Sequence, residues 1–294
     1  MVVQGCWGMA GIVTTPLSTD RLTPPVVPGA TVPWWLRLSA PLGVLGLIAA
    51  AVGAFMDGAY TGMTADWTRQ TFAQDLADLF VGFPLLLVFA FLAARGSVRA
   101  LVAWLGVLIA TLYTYVIYAF DVPFGHLYLA NVALLGLSGW AFGGALTGMD
   151  RRAIKERFDD GAPRRSTGWA LVAIAVVFSV MWLAEDVPAT VRGVAPTALQ
   201  EVGLMTNPVH VLDTAFLLPA CIVSGLGLIR GKSWGYLFAP ALMLTLATIT
   251  VGIVTIMIVA IIDGESALVP VAAVMTLAGL VQIILAVRFL RHLH

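Results

Sequence analysis

Charge is what this chain has least of. Of its 294 residues only 11% are Asp, Glu, Lys or Arg, against roughly a quarter in soluble domains. Sixteen Lys and Arg balance sixteen Asp and Glu, so no basic excess is left for a nucleic-acid backbone, and no nucleic-acid partner is expected. Cysteine is nearly missing: Cys6 sits in an N-terminal stretch and Cys221 in an apolar run. Their different depths predict no disulfide. No basic n-region opens residues 1–13, and Gly5, Gly8 and Gly11 interrupt the apolar stretch, which argues against a signal peptide. No GxxxxGK[ST] or GxSxG stretch occurs, so neither a P-loop ATPase nor a hydrolase elbow is expected. No apolar run carries a histidine pair for b-type haem, a central lysine for retinal, or the spaced arginines of a voltage sensor.

What the chain has in excess is apolar residues, at 60%. Eight windows, 39–56, 77–94, 100–120, 127–148, 168–184, 210–229, 236–262 and 267–287, approach the roughly 20 residues a span requires. They are apolar on every side, as lipid-embedded helices are, and lack the alternation of barrel strands. The expected fold is all-α: a polytopic transmembrane helical bundle of eight spans, with the lipid bilayer as its surroundings. Residues 1–34, with Pro16, Pro24, Pro25, Pro28 and Pro33, read as a mobile cytoplasmic tail. Residues 35–149 form a first four-helix half, 150–167 a basic cytoplasmic linker and 168–294 a second half.

Basic residues test the count. With eight spans, fourteen of the sixteen fall on the side of the tails and even-numbered loops. Only Arg69 and Arg192 fall on the other. The positive-inside rule then places both termini in the cytoplasm. The linker's own basic residues have two readings, an anionic-lipid patch or the topology signal itself.

Sliding one half on the other at an offset of 135 aligns Asp78, Pro84, Val88, Arg95 and Gly96 with Asp213, Pro219, Val223, Arg230 and Gly231. Four spans per half keep both halves in one orientation, so two parallel repeats are expected. Pro84 and Pro219 lie inside spans 2 and 6. Each is expected to kink its helix and free the carbonyl four residues back, at Phe80 and Ala215.

The candidate site gathers where those spans begin. Gln74, Asp75 and Asp78 open span 2; Asn207, His210 and Asp213 open span 6. Asp75/Asp78 and His210/Asp213 are each three apart, hence on one helix face. His126 lies in the turn 121–126, and Tyr113 approaches the same outer level from span 3. Three readings stay open. The carboxylates and imidazoles hold a cation or metal, with His210, Asp213 and His126 as ligands. They bind a polar solute or carry protons. Or they cap helix starts. Tyr115, Tyr118 and the tryptophans, Trp182 among them, read as interface belt residues. The pairs Gly139/Gly143 and Gly144/Gly148 predict close helix approach, within the chain or in a homo-oligomer.

The segments QDLADLF (74–80), VIYAFDVPF (116–124) and TNPVHVLD (206–213) resemble those of a family of bacterial polytopic membrane proteins of uncharacterised activity. The resemblance implies a bacterial inner-membrane location and carries over no catalytic residue. The expected function is therefore a permease-like solute or ion handler with a polar site near the outer face. The alternatives are a membrane-embedded enzyme using a divalent metal, and a non-catalytic subunit or sensor. No other cofactor is expected, and turnover is left open.

Overall fold

A computed structural model describes residues 31–294. Residues 1–30 of the expected tail, Cys6 included, lie outside the described residues. Trp34 belongs to the first helix rather than to the tail. Eight long apolar helices follow: α1 Trp34–Phe55, α2 Ala65–Ala94, α3 Val98–Asp121, α4 Tyr128–Gly148, α5 Arg164–Arg192, α6 Pro208–Ile229, α7 Ser233–Ile262 and α8 Ser266–Leu290. No strand occurs among the described residues. Short helices at Arg151–Glu156 and Thr197–Val202 sit in two of the loops.

α3 and α7 form the centre. α3 packs on α2, α4 and α7, while α7 packs on α2, α3, α6 and α8. Gly106 makes the central contact possible, because a Cβ there would stand 2.5 Å from the Ala241 carbonyl oxygen. The Thr245 hydroxyl donates to the Gly106 carbonyl across the same contact, at 2.9 Å. Large apolar side chains such as Phe80, Phe91, Leu129, Leu277 and Ile284 point outward. Water would penalise so wide an apolar exterior, and lipid does not. This is a multi-pass membrane protein.

The loops gather into two faces. On one, Arg99 donates to the Leu293 carbonyl at 2.6 Å, Lys155 to the Gly231 carbonyl at 2.8 Å, and His292 meets Asp159 at 2.8 Å. On the other, Thr64 donates to the Val202 carbonyl at 2.8 Å, Trp67 to the Asp121 carbonyl at 3.3 Å, and Arg69 pairs with Glu265. The first face is basic and the second acidic, matching the charge partition of an eight-span count.

Three local expectations change. α2 starts at Ala65, not near residue 74, because its first turns are polar and fall outside an apolar window. Thr64 caps it, accepting the Trp67 amide at 3.2 Å, with Asp66 in the first turn. Asp75 and Asp78 are therefore interior residues, and capping does not explain them. The prolines stand beside an irregularity that the sequence does not show. Five-residue π-helical turns, Asp78–Gly82 and Asp213–Leu217, stand just ahead of them. The Phe83 amide reaches back to the Asp78 carbonyl and the Leu218 amide to the Asp213 carbonyl. The wider turn admits a residue that lacks an amide hydrogen, and Pro84 and Pro219 then sit in the first turn of the renewed α-helix. Of the small-residue pairs on α4, Gly144 and Gly148 seat the Trp35 side chain, whose nearest atoms stand 2.5 Å from each added Cβ; Gly143 has nothing within 4 Å.

Candidate functional site

Two buried carboxylates, Asp75 and Asp213, and the half-buried Asp78 have different surroundings. Asp75 is 1% exposed. Tyr60, from the loop after α1, donates to its Oδ2 at 2.5 Å, and Tyr118 of α3 donates to its Oδ1 at 3.2 Å. Gly53 of α1 leaves room for this group, since a Cβ there would stand 2.0 Å from Oδ2. Asp213 is 7% exposed. Its Oδ1 accepts the Tyr113 hydroxyl at 3.1 Å and its Oδ2 the Trp182 indole N–H at 2.8 Å. Beside it, His210 Nδ1 meets Asp186 Oδ1 at 2.9 Å, and the His210 ring packs on Trp182 with centroids 4.2 Å apart. Both of these carboxylates have a donor on each oxygen, as buried polar groups require.

Asp78 does not. Its Oδ1 accepts the Gln74 amide at 3.1 Å, while its buried Oδ2 has no hydrogen-bond partner. The residue lines a cavity of ≈130 Å³ enclosed by α2, α3, α7 and the first turn of α6. Gln70, Thr71, Thr111, Thr114 and Thr248 add polar groups to its walls, and Tyr113 and Val209 close the α6 side. That volume holds several waters, at roughly 10–15 Å³ for each. Gly252 of α7 gives Gln74 its place, since a Cβ there would stand 2.3 Å from Oε1.

A second cavity lies nearer the acidic face. Asp66, Gln70, Gln74 and Asp78 recur every four residues and form one stripe along α2. The Gln70 amide donates to Asp66 at 2.9 Å. Gln70 and Ile256 line both the Asp78 cavity and this shallower one of ≈400 Å³, walled also by Asp66, Arg69, Glu201 and Glu265. Three acids and one arginine thus line this second cavity, the arginine pairing with Asp66 and Glu265.

The single shared spot expected from the sequence is divided. Asp75 stands in one cluster, His210 and Asp213 in another, and Asp78 in the cavity between α2 and α7. The cause is α3. Tyr118 and Tyr113 are five residues apart, hence roughly 140° around the helix, and each serves a different aspartate. Both tyrosines also line the Asp78 cavity, so Tyr113 joins it to Asp213 and Tyr118 joins it to Asp75. His126 is exposed in the turn after α3 and reaches neither cluster. As metal ligands, His210 and Asp213 are turned to different partners, and no three His, Cys, Asp or Glu converge among the described residues. Asp78 and Asp213 each lie sixteen residues from the basic-face end of their helix, Ala94 or Ile229, about 24 Å along the axis, which is most of the way across a hydrocarbon core about 30 Å thick.

Sequence reasoning missed Tyr60 and Asp186 as site members and read Trp182 and Tyr118 as belt residues. Trp182 and Asp186 are four apart on α5, a spacing matched by neither lipid contact nor capping, and it was the available signal. Tyr60 lies in a loop and gave none. The chain matches no family model, no curated protein and no solved structure.

Proposed function

We propose that this is a permease-like protein of a bacterial inner membrane that takes a small cation from its acidic face to Asp78. The observation that carries the reading is Asp78, whose Oδ2 has no hydrogen-bond partner and whose side chain lines a largely apolar cavity between spanning helices. A buried carboxylate oxygen in that state costs free energy unless a positive group completes it. The oxygen-bearing side chains that line the same cavity, Asp78, Gln74, Thr114 and Thr248, suit a hard metal ion or an ammonium group of similar size. The acidic face raises the local cation concentration. Under the positive-inside rule the basic face is cytoplasmic and the acidic face lies outside.

In this reading the bundle is two like-oriented four-helix repeats. Three features support it at the offset of 135. The π-helical turns begin at Asp78 and Asp213. Gly96 and Gly231 both take positive φ, with matching closing bonds from Ser97 to Leu92 and from Lys232 to Gly227. Gly106 and Ala241 touch one another, as equivalent positions do on a two-fold axis. The repeats have diverged in use: Asp213 holds α5 and α3 together, while Asp78 is left open to a ligand.

The test is uptake by proteoliposomes of the full chain, offered sodium, potassium, magnesium, calcium or ammonium. Saturable uptake of one of these, lost in Asp78→Asn, is the expected result. Uptake of none of them, or uptake unchanged in Asp78→Asn, overturns the reading.

A further inference from the structure

A separate feature faces the bilayer. Between α3 and α4 on one side and α6 and α7 on the other runs an apolar groove of ≈810 Å³, within the roughly 300–1,000 Å³ of ligand sites. Its lining includes Ile109, Leu112, Phe216, Val223 and Phe238. Phe216 and Val223 are 68% and 55% exposed, so the groove opens sideways between spanning helices. Along α6 it runs from Leu212 to Ser224, about 18 Å at 1.5 Å per residue. Measured from Ile229 at the basic-face end of α6, it spans about 8 to 26 Å, so it starts in the basic-face half of a hydrocarbon core about 30 Å thick and reaches past the midplane.

Its ends differ. Tyr113 closes the end toward the acidic face. Arg151 and Trp234 stand at the basic-face end. Arg151 donates to the Leu146 carbonyl at 3.1 Å, and its guanidinium lies 6.0 Å from the Phe238 ring centroid. No carboxylate pairs with it among the described residues. The cation sits at headgroup depth, at the mouth of an apolar channel of acyl-chain length. Basic pockets between spanning helices on the cytoplasmic side hold anionic headgroups.

We propose that this groove binds one anionic phospholipid from the basic-face leaflet, with an acyl chain along α6 and the phosphate at Arg151. The assignment does not depend on the cation reading of Asp78. The lipid wedges between helices of the two halves and touches Tyr113, which also borders the Asp78 cavity.

Native mass spectrometry of the detergent-purified full chain tests this. The chain is titrated with phosphatidylglycerol or with phosphatidylcholine of identical acyl chains. The expected result is a one-to-one phosphatidylglycerol adduct at lower lipid concentration than the phosphatidylcholine adduct. Arg151→Gln raises the concentration for half-occupancy about fivefold, the worth of one basic group near an anionic headgroup. Arg165→Gln, an exposed cation that does not line the groove, leaves it unchanged. Ala220→Trp, which fills the groove and keeps Arg151, removes the adduct. Equal retention of the two lipids, an Arg165→Gln effect equal to that of Arg151→Gln, or an adduct that survives Ala220→Trp overturns the proposal.

Discussion

A buried carboxylate oxygen is either satisfied by its neighbours or waiting for something, and this protein contains both kinds. Asp213 is satisfied. Its replacement by alanine strands the Tyr113 hydroxyl and the Trp182 indole, at about 1–3 kcal/mol for each unpaired group. Asp213→Ala is therefore expected to lower the thermal unfolding midpoint sharply. Asp78→Asn removes a charge whose outer oxygen has no donor, and it should leave the midpoint unchanged or raise it in cation-free buffer. Gly53→Ala drives a methyl group toward the Asp75 carboxylate and the Tyr60 hydroxyl, 2.0 and 2.6 Å from the new Cβ. Overpacking of this kind costs about 1–3 kcal/mol, and the same melting measurement reads it. If Asp213→Ala and Asp78→Asn melt alike, the distinction between the two aspartates is wrong.

Elements carry the next part of the account, because α2 positions Asp78 through a π-helical turn. One extra residue in that turn shifts everything before it by roughly 100° relative to everything after it. Pro84 makes the irregular turn acceptable by lacking an amide that a regular helix would need to pair. Pro84→Ala restores that amide and allows the regular ladder, which turns Asp78 away from α7. The expected outcome is retained far-ultraviolet helical signal with weakened cation binding, measured by titration calorimetry; unaltered binding would mean that the turn does not position the carboxylate. The sequence shows the ingredients of this element but not its form. Eight apolar runs, their charge partition and the Asp-to-Pro spacing at the 135 offset are all legible, because hydropathy and proline act locally. The wider turn is not legible, since a kink and a π-turn both follow from the same missing amide. Nor is the partition of the aspartates, which depends on how α3 is rotated, and apolar all-round helices encode rotation only weakly. The early start of α2 was hidden because its first turns are polar, and the cap at Thr64 was the overlooked sign.

At the scale of the whole molecule, α3 against α7 is the central packing contact. Gly106→Leu places a side chain where the Ala241 carbonyl stands 2.5 Å from the new Cβ, so it should abolish folded, monodisperse protein in gel filtration. Gly136→Leu, on α4 where nothing lies within 4 Å, should behave as the parent does. The basic face has its own clasp. The Asp159 amide donates to the His292 carbonyl and the His294 amide to the Arg157 carbonyl, both at 3.0 Å. The hydrogen bond from His292 holds the Asp159 carboxyl below the usual aspartate range. A depressed carboxyl contributes fully above its unfolded pKa of about 3.9 and loses that contribution as pH falls through the lowered folded value. At neutral pH the Asp159 carboxyl is therefore ionised and able to accept from His292. Trypsin should cut after Arg157 slowly in the parent chain and faster in both Asp159→Asn and His292→Ala.

Titration calorimetry with sodium, potassium, magnesium, calcium and ammonium, run on the parent chain, Asp78→Asn and Asp213→Asn side by side, bears most directly on the role given to Asp78. One of these cations should bind the parent at a single site. That heat should vanish in Asp78→Asn and persist, per folded molecule, in Asp213→Asn. Binding that survives in Asp78→Asn, or that depends equally on both aspartates, would contradict the account.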